Sequence, residues 1–120
     1  MERGAISIID GRVVISPVGG AVWLTKHQIA DLFGCFVAKV DANVRAILKT
    51  EVLDEDKACR TLRYANGSSV VLYNLEMITA LAFRIRSKNA DVFRRWLVAR
   101  AVGVKKISVI VPIINQALLN

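Results

Sequence analysis

A chain of 120 residues fits one domain and leaves no room for a two-domain enzyme, while an apolar content of 54% is enough for a buried core and argues against disorder. Two cysteines 24 positions apart and a single histidine cannot build a disulfide framework or supply four zinc ligands. The formal charge of +7 lies entirely between Arg84 and Lys106, where eight basic residues face one acid, Asp91; the rest of the chain balances nine against nine. One basic region on a neutral domain suggests a polyanion partner.

The N-terminal part reads as strands, Ala5–Ile9 and Arg12–Ser16, joined by Asp10-Gly11 and closed by Pro17 and Gly19-Gly20. Asp-Gly between β-branched runs is a strong hairpin signal. Ala21–Leu24 suggests a further short strand. The period then changes. Thr25 and Gln28 have the spacing of a capping box, and Ile29, Ala30, Leu32 and Phe33 follow at helical intervals until Gly34. A second helix is expected over Val37–Lys49, with Val37, Val40, Val44, Ile47 and Leu48 on one face. Glu51–Asp56 forms an acidic connection.

Alternation returns at Cys59–Tyr64 and Ser69–Tyr73 around an Asn66-Gly67 tip, suited to a type I′ or bulged turn. An isolated hairpin is marginal in water, so this one is expected to pair with the N-terminal strands. Asn74 can cap a helix from Leu75 to about Arg84, and Ser87 can cap another over Lys88–Val102. On the last helix Ala90, Phe93, Trp96, Leu97 and Ala101 form the apolar arc, with Asp91, Arg94 and Arg95 opposite. Arg100 falls inside that arc and should snorkel or meet a carboxylate.

Ala30 lies four residues before Gly34 and Val40 six after it. A small residue lets two helices cross closely, the glycine turns the chain, and the β-branched residue pins the second helix. That is helix-turn-helix spacing, although ordinary helical hairpins can share it. A following hairpin with a tight tip extends the reading to a winged helix, whose wing would carry Arg60 and Arg63. The expected architecture is therefore α+β: an N-terminal hairpin, a helix-turn-helix over about 25–49, a wing over about 59–73 and two C-terminal helices. The domain would span residues 1–106, followed by an apolar tail at 107–120.

The stretch Val22–Val102 resembles the RhuM family of bacterial virulence-associated and mobile-element proteins. The resemblance rests on Val22-Trp-Leu-Thr25, Gln28-Ile-Ala-Asp-Leu-Phe-Gly34, Val52-Leu-Asp-Glu-Asp56, Tyr73-Asn-Leu-Glu-Met-Ile78 and Arg84-Ile-Arg-Ser-Lys88 leading to Phe93-Arg-Arg-Trp96. The segment from Arg86 to Trp96 is also similar to the end of the Bro-N domain of antirepressor-type proteins. The resemblance implies a DNA-binding regulator. One departure concerns the second helix, which family members begin with polar residues. Here it begins Cys35-Phe-Val-Ala-Lys-Val-Asp-Ala-Asn43.

The expected partner is double-stranded DNA. Thr25 and Lys26 at the start of the first helix would hold a phosphate. Phe36, Lys39, Ala42, Asn43, Arg45 and Lys49 would face the major groove, with Asp41 outward among them. Arg63 would touch the flank, and Arg94 and Arg95 would add non-specific attraction. The alternative is a protein-interaction module on a helix-turn-helix scaffold that has lost specific DNA readout, favoured by the apolar start at Phe36–Ala38 and by Asp41.

No catalytic constellation is visible, so neither an enzyme, a cofactor nor a small-molecule substrate is expected. His27 reads as a surface or phosphate-adjacent residue, Cys35 and Cys59 as small buried hydrophobes, and Trp23 and Trp96 as core. Asp54–Asp56 read as a solvated loop or the cap of a following segment rather than a metal cluster. The uncharged run Ile107–Ile114 suggests an added strand or a homodimer joined through residues 107–120. No uncharged stretch reaches the roughly 18 to 20 apolar residues of a membrane span. The first residues lack a basic segment before an apolar run, so no signal peptide and a cytoplasmic location are expected.

Overall fold

A computed structural model describes residues 3–103; the tail at 107–120, with Lys105 and Lys106, lies outside the described residues. The elements in chain order are β1 (Ala5–Ile9), β2 (Arg12–Ser16), β3 (Trp23–Thr25), α1 (Lys26–Phe33), α2 (Val37–Lys49), α3 (Glu55–Ala58), β4 (Cys59–Arg63), β5 (Ser69–Asn74), α4 (Leu75–Ala82) and α5 (Lys88–Val102). Among the described residues five helices and two small antiparallel sheets make an α+β fold.

The two hairpins turn by different means. Asp10 and Gly11 both take positive φ, 50° and 74°, which is the type I′ requirement, and β1 pairs with β2 from Ala5↔Ser16 to Ile9↔Arg12. At the second tip Gly67 alone has positive φ, at 90°, while Asn66 does not. Gly67 N–H donates to Tyr64 O, and Tyr64 N–H to Ser68 O. The tip is thus a bulged turn.

The second hairpin pairs with one of the N-terminal strands, as expected, but that strand is β3 and not the β1–β2 ribbon. β5 lies between β4 and β3, in the register Trp23↔Asn74 to Thr25↔Leu72, while β1 and β2 form a sheet of their own. The reason is local closure. The I′ turn zips β1 onto β2, and Ile6, Ile8, Val13 and Ile15 pack from that ribbon onto the core. The chain then reverses at Val18–Ala21, and only β3, which leads straight into α1, reaches the edge of β5.

The capping box is present: Thr25 Oγ1 accepts from Gln28 N–H at 3.1 Å, and Gln28 Oε1 accepts from Thr25 N–H at 2.9 Å. Gly34 ends α1 in the left-handed region, with φ of 67°, and its N–H donates to Ala30 O. Asn74 and Ser87 cap α4 and α5 with their side chains. Asp54 caps the single turn of α3, which is the second of the two readings for Asp54–Asp56, the cap of a following segment. α4 is buried on nearly every side, and around it pack Phe33, Val40, Ile47, Ile85 and Phe93. Phe33 and Phe93 meet edge to face at 5.6 Å, joining the first helix to the last.

Two aromatic expectations change. Trp23 and Trp96 are half-buried rather than core. Arg60 lies over the Trp23 ring, 4.4 Å from its centroid, and Arg100 lies over Trp96 at 4.8 Å. Arg100 stays exposed and meets no carboxylate among the described residues; the face of an indole attracts its guanidinium.

Candidate nucleic-acid interface

Burial of Val40, Val44 and Ile47 on the core side of α2 leaves the opposite side to solvent. Helical spacing then places Ala38, Lys39, Ala42, Arg45 and Lys49 on the exposed surface. Phe36 precedes this strip as the α2 N-cap and is 85% exposed, the most exposed large apolar residue of the fold. No side chain caps α2 at its start.

Both flanks of the strip are tied down. On one side Asp41 Oδ2 accepts from Arg45 Nη1 at 2.6 Å, and its Oδ1 lies 3.5 Å from Lys26 Nζ on α1. On the other, Asn43 Oδ1 accepts from Arg84 Nε at 3.1 Å, while Asn43 Nδ2 donates to Lys39 O. Asn43 is thus half-buried and engaged, not an open groove-facing amide. Lys26 has an acid beside it, and the Thr25 hydroxyl is occupied by the helix cap.

The basic stretch that begins at Arg84 is less available than its charge suggests. Arg94, expected on the solvent face, turns inward: its side chain is only 24% exposed, and Nη1 donates to the carbonyls of Ala82 and Ile85 at 2.7 and 2.9 Å. The last carbonyls of a helix lack intrahelical donors; this guanidinium supplies one to Ala82, the last residue of α4, and another to Ile85 just beyond it. Its Nη2 also meets Asp91 at 3.3 Å. Arg95 remains on the surface, paired with Asp91 at 3.1 Å. On the β4–β5 hairpin Arg60 is held over Trp23, whereas Arg63 is exposed beside the tip.

The remaining candidates resolve simply. His27 is exposed. Cys35 and Cys59 are half-buried, and burial raises both thiol pKa values, so neither is poised as a thiolate. Among the described residues no group of three metal-ligating side chains converges, and no helix is long and apolar enough to cross a membrane.

Sequence reasoning missed Arg84 as the partner of Asn43, which lies 41 positions away. It also missed the pairing of Asp41. An Asp four residues before an Arg on a helix is a readable signal; the contact with Lys26, from another helix, is not. No family model matches the chain, and no curated protein and no solved structure matches it.

Proposed function

We propose that this chain is a winged helix-turn-helix-type domain that binds double-stranded DNA, acting in the cytoplasm without a cofactor or a catalytic step. The exposed strip on α2 carries this function. Lys39, Arg45 and Lys49 share one open side of a helix that follows a tight glycine turn, which is how a recognition helix meets the major groove. Ala42 and Phe36 suit the methyl group of thymine. β3, β4 and β5 form a sheet beside the two helices, and Arg63 with the Asn66-Gly67 tip would lie on the DNA flank. Arg95 would add sequence-independent attraction, whereas Lys26 has Asp41 beside it. Arg94 and Asn43 have protein partners and are left out of the contact set. A regulator of the RhuM kind, in a mobile-element setting, agrees with the residues that carry that resemblance.

A fluorescence-anisotropy titration with random duplex at two salt concentrations tests this. The expected result is binding that weakens at higher salt, with log K falling by about 0.9 per phosphate contact for each log unit of salt. Absence of binding at low salt would refute it.

One observation favours a second function. Phe36 stands 85% exposed beside Ala38 and Ala42, as an apolar anchor on a protein-binding surface would. For such a module Phe36→Ala abolishes capture of the partner while DNA retention is nil throughout. Self-association through residues 107–120 is proposed alongside either function; light scattering of a chain cut after Lys106 would then report a lower mass than the full chain.

A further inference from the structure

Asp41 is an acid on the side of α2 that the proposed function offers to DNA, where a carboxylate repels phosphate and releases no counterion. Both of its oxygens are nevertheless in use. Oδ2 takes Arg45 Nη1 at 2.6 Å, one turn further along α2, and Oδ1 sits 3.5 Å from Lys26 Nζ, across the turn on α1. The carboxylate is 34% exposed and the Arg45 side chain 71%, so the pair lies at the rim of the surface with Arg45 outermost. Only Nη1 of the guanidinium faces Asp41. The opposite edge, Nε with Nη2, has no partner among the described residues.

Two consequences follow. The single negative charge of Asp41 is shared by two cations that would otherwise bind any phosphate. It also fixes a long, rotatable arginine side chain in one direction while leaving a two-donor edge free. A guanine edge, with O6 and N7 side by side, is the base pattern such a fork matches. A lysine has a point charge and no fork.

We propose that Asp41 is a positioning residue that sets DNA specificity: it holds Arg45 ready for a guanine edge and masks the charge of Lys26 and Arg45 toward phosphate. This rests on the DNA-binding function proposed above.

The test begins by selecting a preferred duplex from a randomised pool with the wild-type protein. Binding of wild type, Asp41→Asn and Arg45→Lys to the selected and to a random duplex is then measured across salt, with melting temperature as the check on folding. Asp41→Asn is expected to bind random duplex roughly threefold to tenfold tighter, with a log–log salt slope steeper by about 0.9 to 1.8 as one or two cations reach phosphates. Its preference for the selected duplex should fall about tenfold. Arg45→Lys keeps the charge and should lose the same preference while its affinity for random duplex stays level. An Asp41→Asn protein with unchanged slope and preference, or with weaker binding to random duplex, overturns the proposal, as does an Arg45→Lys protein that keeps its preference. Wild type that binds neither duplex overturns the DNA-binding function itself, which separates the two failures.

Discussion

The helix α2 and the segment that runs from Arg84 through α5 both carry clustered cations, but they use them differently. Around α5 three of the arginines are engaged by groups of the protein itself. Arg84 holds Asn43, Arg94 closes the carbonyl end of α4, and Arg100 covers Trp96. On α2, Lys39 and Lys49 are exposed, and Arg45 keeps one edge of its fork free. Formal charge counts all of these alike. What separates them is whether carbonyls, amides or aromatic faces lie within reach. A guanidinium offers five donors in a rigid fork and is recruited wherever such groups are unpaired.

The contrast can be broken most directly at Arg94. Replacing it with alanine removes two hydrogen bonds from a charged donor and leaves the Ala82 and Ile85 carbonyls without that partner, so Arg94→Ala should destabilise the fold by about 2 to 4 kcal/mol. Urea denaturation measures this. A loss below about 0.5 kcal/mol would mean that Arg94 is a surface charge after all. Arg45→Ala is the converse case. It should leave the urea midpoint nearly unchanged, since an exposed ion pair contributes little, and weaken binding to a preferred duplex by about 1 to 3 kcal/mol. Equal losses on preferred and random duplex would make Arg45 a phosphate contact only.

The smallest effect is expected at Arg95, whose side chain is 81% exposed and paired with Asp91 alone. Arg95→Ala should change stability by less than about 0.5 kcal/mol. It should lower the salt slope by about 0.9 on every duplex alike. An unchanged slope would exclude Arg95 from the proposed DNA contacts.

The succession of α1, the Gly34 turn and α2 was readable because each part is a short-range rule. The Thr25–Gln28 box, Gly34 and the apolar period of α2 all act within one or two turns, and each stands where its chemistry placed it. The surroundings of the exposed side of α2 were less legible. Periodicity says that Asp41, Asn43 and Arg45 lie off the core face, but not that Lys26 and Arg84 close on the two flanks. Those contacts join positions 15 and 41 residues apart.

For the same reason the chain by itself determined its elements and caps, from the Asp10-Gly11 turn to the Asn74 and Ser87 helix starts. Hydrogen bonds between near neighbours and the alternation of apolar residues suffice for those. Tertiary structure decided which strand receives the second hairpin, because several edges were available and only β3 is carried to β5 by the helix that follows it. It also decided which arginines remain free. An arginine's availability depends on unpaired carbonyls and aromatic faces brought near it by the packing of other elements, and Arg94 at the end of α4 is the clearest case.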